Sequence, residues 1–288
     1  VAGCGMISEV YIRNLQTLFS DRLAVRGVFD RHPDRAQGRA AQFALPRVYG
    51  TLEQMLSDPE IDIVLDLCPP QAHYEINRLA LEAGKHVYSE KPLAAQAAQG
   101  AERVRLAREK GVRLGCAPDV PLGAMIQTAR HLVDTGAIGR VVGATANLFK
   151  QGVETWHPNP NFLYQPGAGP LMDMGPYYLT ALLHIVGPFA SVSAMDAISF
   201  PTRRITSQPH YGELIQVRVP TYVNALLRFE TGALATFTAA FDVWKSRQPC
   251  LEIYGETGSI VLSDPNCFGG RVMLARPGED YREVPLTF

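Results

Sequence analysis

A short stretch at the border between a predicted strand and a predicted helix holds the residues best suited to chemistry. In residues 85–92 a strand-like run ends in Glu90, Lys91 and Pro92. Open α/β sheets bind ligands in the loops at the carboxyl ends of their parallel strands, and the rigid Pro92 can fix the direction of Lys91. The ammonium group could stabilise a developing alkoxide or lower the pKa of a neighbouring group. By itself the stretch fits an exposed Lys–Glu turn equally well.

A glycine turn at the start of the chain is typical of a dinucleotide-binding site. Residues 1–8 read Val-Ala-Gly-Cys-Gly-Met-Ile-Ser, and apolar residues at helical spacing follow. Gly3 permits the tight turn, Gly5 lets a pyrophosphate approach the backbone, and Ser8 replaces the third glycine of the fingerprint. Because a short Gly-x-Gly also arises by chance, the turn is weak support alone. The cofactor contacts predicted here are Gly3, Gly5, Met6 and Ile7.

An acid after the second predicted strand points to the ribose of NAD. The strand at residues 23–29 ends at Asp30, which lies 27 residues after Gly3, somewhat beyond the usual spacing. A carboxylate there accepts hydrogen bonds from both ribose hydroxyls and repels a 2′-phosphate. Arg31 could neutralise the acid or hold a 2′-phosphate, so NADP stays open. A purely structural alternative is that Asp30 caps the next helix.

Further loops at strand ends extend the predicted cofactor site. The buried strand at residues 61–67 runs into two prolines, and His73 follows at the start of the next helix. His73 could contact the cofactor or cap its helix, and capping is the favoured role. The remaining predicted cofactor contacts are Cys68, Pro69, Pro70, His73, Glu90, Lys91 and Asp119, with Arg31 beside Asp30.

The elements that must position these residues fall into two groups. Strands alternate with helices as far as residues 112–116, which indicates a doubly wound parallel sheet. After residue 118 a helix at 125–135 is followed by successive strands, several of them amphipathic, which favours a mixed or antiparallel sheet with one buried face. The predicted fold class is α/β: an N-terminal Rossmann domain (1–118) and a C-terminal α+β domain (119–288) with a large mixed, mostly antiparallel sheet. The second domain is predicted to bind substrate and to form oligomers. Its strands are predicted at 141–149, 190–196, 222–229, 234–241, 250–254 and 258–262, and the polar region 202–220 as a long excursion.

Composition excludes several classes of partner. The 288 residues are 47% hydrophobic and 19% charged with a net charge of −1, which gives no electrostatic footprint for nucleic acid or an anionic membrane. The five cysteines are far apart and form no CxxC, so neither a disulfide framework nor a metal site is expected, and the reducing cytoplasm is the expected compartment. The chain opens in the last residues of a strand, so residues upstream of Val1 are expected.

In their order along the chain, these motifs resemble the Gfo/Idh/MocA family of NAD(P)-dependent oxidoreductases. The resemblance rests on Gly-x-Gly, the acid, Pro-Pro-x-x-His, Glu-Lys-Pro and then Gly167-Ala-Gly-Pro-Leu-Met-Asp173-Met-Gly175. Each part is weak, but the combination is specific and spans nearly the whole chain. The resemblance implies that Lys91 and Asp173 are catalytic or substrate-binding residues.

The position four residues after Asp173 separates branches of that family. Many members have histidine there, whereas this chain has Tyr177, as do the branches resembling glucose–fructose oxidoreductase and dimeric dihydrodiol dehydrogenase. In those branches the tyrosine is the acid/base, so the resemblance implies that role for Tyr177 and argues against an inositol dehydrogenase. If the chain is helical from Met172, Asp173 and Tyr177 share one face. A cation about 4 Å away is worth roughly 4 kcal/mol at an effective dielectric near 20, so Lys91 would lower the pKa of Tyr177 toward neutrality. The neighbouring Tyr178 is expected to pack in the core.

An aromatic and polar loop at residues 154–164 is a candidate wall for the substrate site. Sugar rings present apolar faces to aromatic side chains and hydroxyls to polar ones, so Trp156, His157 and Tyr164 are predicted substrate contacts together with Lys91, Asp173 and Tyr177. A proline-rich connection that merely packs on its neighbour is an equally good interpretation.

Together these patterns predict an NAD(P)-dependent oxidoreductase that moves a hydride between the nicotinamide and a secondary alcohol or ketone of a sugar, sugar derivative or cyclitol. Tyr177 would exchange the hydroxyl proton, Lys91 stabilise the charge, and Asp173 orient the substrate. Two alternatives stay open: glycoside cleavage through transient oxidation, known in part of this superfamily, and a non-catalytic NAD(P)-binding regulator. NAD is slightly favoured over NADP, and a homodimer or homotetramer is expected.

Overall fold

The computed structural model describes residues 1–287. The chain divides into two compact units, Val1–Ala117 and Pro118–Phe288. The first unit alternates helices with parallel strands. Its helices are α1 (Ser8–Thr17), α2 (Pro33–Gln42), α3 (Leu52–Ser57), α4 (Pro70–Glu82) and α5 (Ala97–Lys110). Its strands β1 (Ile63–Asp66), β2 (His86–Ser89) and β3 (Leu114–Cys116) form a parallel sheet in that order.

Three shorter extended segments continue this sheet beyond β1. Parallel bridges join Ala2 to Asp66 and to Phe29, and join Val28 to Val48. The first segment of the chain therefore lies at the centre, between β1 and the segment at Val28, which is the strand order of a doubly wound dinucleotide-binding sheet. The predicted Rossmann sheet is confirmed. Only the end of the predicted strand at residues 23–29 joins it, because the chain becomes buried only from residue 27 onward.

The second unit is built on one large sheet. Its eight strands are β4 (Val141–Phe149), β5 (Phe189–Ala197), β8 (Tyr222–Phe229), β9 (Leu234–Ala240), β10 (Leu251–Gly255), β11 (Gly258–Leu262), β12 (Val272–Ala275) and β13 (Arg282–Val284). Their order is β13-β12-β11-β10-β4-β9-β8-β5, with β4 and β9 parallel and the other neighbours antiparallel. The predicted mixed, mostly antiparallel sheet is confirmed. A separate antiparallel pair consists of β6 (Thr202–Arg204) and β7 (Leu214–Gln216).

Helices cover one face of the large sheet. They are α6 (Ala124–Asp134), α7 (Gly169–Asp173) and α8 (Gly175–Val186), with short 3₁₀ turns at Val120–Leu122, Val153–Thr155 and Asn161–Tyr164. Ile126 of α6 and Leu182 of α8 pack in one core with Ala225 and Leu227 of β8. The alternation of β8 leaves Leu226 exposed on the opposite face. Burial of the apolar stripes of α6 and α8 on this face therefore holds the second unit together.

Four strands were not predicted. β6 and β7 lie inside the region expected to be a long polar excursion, and β12 and β13 follow the last predicted strand. Three of the four are short and rich in charged or polar residues, so no apolar alternation marks them. Within residues 1–287 no helix is long and apolar enough to span a membrane, and no cluster of three or more metal-binding side chains occurs.

Candidate active site

The glycine turn is held by contacts that only glycine allows. Gly3 has φ of +92°, and a Cβ there would lie 2.8 Å from the backbone of Leu67 and Cys68. Gly5 is the opposite case, since a Cβ there would meet nothing within 4 Å. The carbonyl of Gly5 accepts hydrogen bonds from the buried Ser8 hydroxyl at 2.6 Å and from Nη2 of Arg39 at 3.0 Å. The turn therefore presents an open backbone surface at the start of α1, where a pyrophosphate fits.

Asp30 lies beside this turn and holds two backbone groups. Its Oδ2 accepts the N–H of Cys4 and its Oδ1 the N–H of His32, each at 2.8 Å. The second bond forms an Asx turn before α2, whose N-cap His32 receives no side-chain capping bond. A carboxylate oxygen accepts more than one hydrogen bond, so both oxygens keep capacity for ribose hydroxyls. Nε of Arg31 donates to the exposed ring of His32 at 3.2 Å.

His73 binds two loops together. It is fully buried, and its ring nitrogens lie 2.7 Å from the carbonyl oxygens of Cys68 and Pro92. The predicted roles as helix cap and direct cofactor contact are therefore both wrong, because the ring exposes no surface and faces carbonyl groups. The pattern Pro-Pro-x-x-His marks a histidine with a structural role instead: its ring joins the loop after β1 to the turn after β2.

The loop after β1 supplies the other predicted contacts on that side. Cys68 and Pro70 are partly buried and Pro69 is the N-cap residue of α4, which starts at Pro70. Burial, with the charge of Asp66, raises the pKa of the Cys68 thiol. Burial also raises the pKa of Asp66, whose Oδ1 accepts the N–H of Cys68 at 3.1 Å. The thiol is therefore a packing group at the edge of the site, not a nucleophile.

The turn with Lys91 is fixed from several sides. Glu90 accepts the hydroxyl proton of Tyr11 on Oε1 at 2.8 Å and the backbone N–H of Lys91 on Oε2 at 3.0 Å. The buried Ser89 donates to the carbonyl of Glu90 at 3.0 Å, and the Lys91–Pro92 peptide is cis. Glu90 thus orients the backbone at Lys91, a half-buried residue at the carboxyl end of β2.

The other predicted residues lie in the second unit. The exposed Asp119 precedes the 3₁₀ turn at Val120–Leu122, and its carbonyl accepts the N–H of Leu122 at 2.9 Å. Asp173 and Tyr177 are both partly buried.

The helix assumed for Asp173 and Tyr177 is interrupted between them. α7 ends at Asp173 and α8 begins at Gly175, with Met174 at φ −111°. Pro176 has no N–H and so cannot bond the carbonyl of Met172, which breaks the helical ladder here. The continuous helix on which the prediction was based is therefore absent, since Asp173 and Tyr177 belong to different helices, and their shared face stays a prediction.

Tyr178 packs in the core, as predicted. It is fully buried in the main core cluster and donates to Oδ1 of Asp264 at 3.1 Å. Burial and the Asp264 carboxylate raise the pKa of Tyr178. Such a phenol is a poor proton acceptor, so of the two adjacent tyrosines Tyr177 is the better candidate.

The aromatic loop exposes one tryptophan and orients one histidine. Trp156 is 63% exposed, and its ring lies 5.4 Å from that of His157, which in turn lies 5.6 Å from Phe162. Nδ1 of His157 accepts the N–H of Asn159 at 3.0 Å, so the neutral ring carries its proton on Nε2. Partial burial lowers the pKa of His157, and the Asp173 carboxylate opposes this effect. His157 and Asp173 are thus electrostatic neighbours within the second unit.

Tyr164 does not line the loop surface. It is fully buried and its hydroxyl donates to Glu154, and burial together with that carboxylate raises the pKa of Tyr164. The predicted substrate contact is wrong for this side chain, which supports the loop from beneath. Sequence reasoning also missed Arg203, the ion-pair partner of Glu154, and Asp242, the second carboxylate that pairs with Arg203. The position of Asp242 could have marked it as a candidate site residue, since like Asp30 it is an acid just after an apolar strand.

A glycine turn on a parallel sheet with the Rossmann strand order is typical of a dinucleotide-binding domain, and the comparisons with known proteins agree. Residues 1–117 match the family model "Oxidoreductase family, NAD-binding Rossmann fold", and residues 126–261 match the "GFO/IDH/MocA C-terminal domain". The chain belongs to the Gfo/Idh/MocA family and is an NAD(P)-dependent oxidoreductase.

Named relatives include two sugar dehydrogenases. D-glucoside 3-dehydrogenase of Escherichia coli is 30% identical over 84% of this chain and 69% of its own length. Levoglucosan dehydrogenase of Pseudarthrobacter phenanthrenivorans is 26% identical over 84% of this chain and 65% of its own length. This chain thus spans about two thirds of those relatives. A structure of levoglucosan dehydrogenase in complex with NADH and L-sorbose has the same fold, with a TM-score of 0.84 at 22% identity over 98% of this chain and 78% of that one.

Proposed function

We propose that this oxidoreductase is a dehydrogenase that uses NAD to oxidise a secondary hydroxyl of a sugar or sugar derivative, or catalyses the reverse reduction. The observation that carries the proposal is the fixed turn at Glu90, Lys91 and Pro92, at the same carboxyl edge of the parallel sheet as the glycine turn. An ammonium group anchored at that edge suits an alkoxide that develops as hydride leaves the carbinol carbon.

Three side chains divide the chemistry. Tyr177 accepts the hydroxyl proton on its phenolic oxygen and returns it in the reverse direction. The Lys91 ammonium is assigned to stabilise the negative charge that develops during the reaction, and the Asp173 carboxylate to accept a hydrogen bond from the substrate and so orient it. NAD, when bound, supplies the nicotinamide carbon that takes the hydride. The assignment rests on the family membership together with the high pKa of Tyr178, the adjacent phenol.

NAD is the preferred cofactor in this proposal. Backbone N–H groups orient both oxygens of Asp30, and a carboxylate at this position would accept ribose hydroxyls and repel a 2′-phosphate. Arg31 is the residue that would favour NADP, and its Nε donates to the ring of His32. The cofactor contacts are Gly3, Gly5, Met6, Ile7, Asp30, Arg31, Cys68, Pro69, Pro70, Glu90, Lys91 and Asp119.

A pyranose ring is the substrate class that fits the second unit. The exposed ring of Trp156 offers an apolar surface for a sugar face, and the Nε2 proton of His157 offers a donor for a hydroxyl. The relatives named for levoglucosan and D-glucoside agree with this class. Substrate binding is therefore assigned to Trp156 and His157 with Lys91, Asp173 and Tyr177.

A screen for NADH formation tests the function. The purified chain is mixed with NAD and each of a panel of anhydrosugars, glycosides, free pyranoses and cyclitols, and absorbance of NADH is followed. We expect turnover with one pyranose class and loss of that turnover in Lys91→Met. Release of a sugar without net NADH would favour glycoside cleavage instead. Tight NADH binding with no turnover on any compound would favour a regulator.

The open face of the large sheet is proposed as the surface of self-association. Val192, Leu226 and Leu234 lie on neighbouring strands β5, β8 and β9 and are each more than half exposed, at 67%, 64% and 55%. A contiguous apolar surface of this kind commonly pairs with its own copy. We expect a homodimer or a dimer of dimers in sedimentation at micromolar concentration. Leu226→Glu should lower the mass, and a monomeric wild-type chain would contradict the proposal.

A further inference from the structure

Three charged side chains meet beneath the aromatic loop of the second unit. Arg203 donates from Nη1 to Oε1 of Glu154 at 2.8 Å and from Nη2 to Asp242. The side chains of Arg203, Glu154 and Asp242 are only 8%, 10% and 5% exposed. Ionised groups this deep are costly to desolvate, so their hydrogen bonds must offset a large penalty. Glu154, Arg203 and Asp242 are called the Arg203 network below.

The Arg203 network joins segments that are distant in sequence. Arg203 lies on β6, Glu154 in the aromatic loop, and Asp242 just after β9. Asp242 also accepts the hydroxyl proton of the buried Thr221 at 2.7 Å, and the Arg203 guanidinium lies 5.3 Å from the ring of Tyr164. Each partner therefore comes from a separate stretch of chain, and one guanidinium sets their spacing.

The network continues to the residues proposed to touch the substrate. The carbonyl of Glu154 accepts the N–H groups of Thr206 and Ser207 at 3.0 and 3.2 Å. The Ser207 hydroxyl then donates to the carbonyl of His157 at 2.6 Å. The chain from β6 thus holds the loop on both sides of Trp156, at Glu154 and at His157.

A small apolar cluster backs the same contacts. Tyr164 of the loop, Ile205 beside β6, Ile215 of β7 and Phe241 beside β9 pack together, apart from the main core. Met174, the residue after Asp173, packs against this cluster as well as against the main core. A change in the spacing set by Arg203 would therefore reach both His157 and the backbone at Asp173.

From this arrangement we infer that Arg203 is a positioning residue for substrate specificity: it fixes the loop carrying Trp156 and His157 and so sets affinity for the sugar. A buried ion triad is a weak source of net stability compared with apolar residues of similar size. Its geometric selectivity, in contrast, is high because the N–H donors of the planar guanidinium point in fixed directions. The inference rests on the proposed substrate contacts of the loop.

Two variants perturb the Arg203 network without deleting a charge. Arg203→Lys keeps the charge but loses the fork that spans both carboxylates. Gly152→Ala adds a Cβ where the Glu154 carboxylate and Nη1 of Arg203 already lie, so the ion pair must shift. Arg140→Lys is the matched control, because Arg140 forms an exposed ion pair with Glu256 in the same unit.

Steady-state kinetics supply the first measurement. We expect Arg203→Lys and Gly152→Ala to raise KM for the sugar roughly fivefold or more, with a smaller change in kcat and the NADH Kd within about twofold of wild type. Arg140→Lys should match wild type. Unchanged KM in both folded network variants would reduce Arg203 to a structural role and overturn the inference.

Fluorescence supplies a second measurement that needs no turnover. Trp156 and Trp244 are the two tryptophans of the chain, so Trp244→Phe leaves Trp156 as the sole reporter of the loop. In that background we expect Arg203→Lys and Gly152→Ala to lower the emission anisotropy of Trp156, and an unchanged anisotropy would again overturn the inference. If the screen finds no dehydrogenase activity but the anisotropy falls, the proposed function fails while the positioning role of Arg203 survives.

Discussion

The two units fix their candidate site residues by different means. In the first unit the partners are mostly main-chain groups: Asp30 holds two backbone N–H groups, Glu90 holds one, and His73 faces two carbonyls. In the second unit the loop with Trp156 and His157 has main-chain partners as well, but it also depends on side chains, namely the Arg203 network and the Ser207 hydroxyl. A side chain that bonds main-chain groups can be kept whatever residues surround it. A side chain that bonds other side chains can be replaced only together with those partners. Main-chain partners are therefore appropriate for binding a cofactor that many enzymes share, and side-chain partners for binding a substrate that differs between enzymes.

The largest expected effect tests whether residues of the two units act together. Tyr177→Phe should lower kcat by roughly a hundredfold or more, because the proton then has no acceptor, while NADH affinity stays nearly unchanged. Lys91→Met should lower kcat by a similar factor. If the lysine cation lowers the pKa of Tyr177, the residual activity of this variant should rise only at a more alkaline pH. Rates of the single and double variants, measured against pH, check this.

The double variant decides between cooperation and independence. If Tyr177 and Lys91 form one unit, the combined loss is far smaller than the product of the two single losses. Tyr211→Phe is the control, since Tyr211 is 66% exposed between β6 and β7. An almost fully active Tyr177→Phe enzyme would pass the proton role to Lys91 or His157.

A second variant tests whether close main-chain packing fixes the glycine turn of the first unit. Gly3→Ala should cost about 2–3 kcal/mol in the free energy of unfolding, because the alanine must hold a positive φ and its Cβ meets the backbone at Leu67 and Cys68. NAD affinity should fall as well. Urea unfolding followed by circular dichroism measures the first effect.

Gly38 supplies the matched control in the same unit. It lies inside α2 and a Cβ there meets nothing within 4 Å, so Gly38→Ala should stabilise the protein by about 0.5–1 kcal/mol. If Gly3→Ala were as stable as wild type, the backbone at Gly3 could move away from Leu67 and Cys68 without loss of folding free energy, which would contradict this prediction.

A moderate effect is expected at Asp30. Asp30→Ala removes the carboxylate proposed to bind the ribose, so the ratio of NAD to NADP affinity should fall about tenfold, the size of one charged hydrogen bond. Titration calorimetry with both cofactors measures it. Asp34→Ala, on the exposed side of α2, should leave the ratio alone. A constant ratio in Asp30→Ala would limit Asp30 to holding Cys4 and His32.

The smallest effect is a pH dependence in the second unit. Because partial burial lowers the pKa of His157, the native state binds this proton more weakly than the unfolded chain does. The associated stability is present above the ordinary pKa of about 6.5 and is lost as the pH falls through the lowered value. A protonated ring also loses the Asn159 N–H bond at Nδ1. We therefore expect KM for the sugar to rise a few-fold between about pH 7 and pH 5.

Replacement of the ring isolates this contribution. His157→Gln should flatten the acid side of the KM profile, whereas His131→Gln, in the last turn of α6, should leave it intact. Retention of the full acid-side rise in His157→Gln would assign the titration to another group.

The sequence predicted best where a residue's role follows from its own neighbours. The spacing after the first strand predicted the tight turn at Gly3, which the structure has, and β4 and β11 have the predicted bounds because their apolar runs are long or clearly bounded. The sequence also contains a sign of the break at Met174, because Pro176 two residues later cannot donate to the helical ladder.

The rest could not be read because it depends on residues that meet only after folding. Glu154, Arg203 and Asp242 are ordinary charged residues in the sequence, and their burial is set by three separate segments. The same holds for Tyr164, whose aromatic and polar character fits a ligand wall as well as a buried support. β6 and β7 are held by each other, without an apolar alternation that a single-sequence reading could detect.

The central strand of the large sheet also has a consequence for biosynthesis. β4 pairs with β9 on one side and β10 on the other, for example Ala146 with Phe237 and with Leu251. Both neighbours are synthesised long after β4 itself, so the ribosome releases a nine-residue apolar strand with two open edges. Unpaired edges invite pairing with other chains, and distant partners make closure slow. Chains that stall or are truncated before β9 should therefore be aggregation-prone and depend on chaperones, whereas the first unit already has its own strands in place.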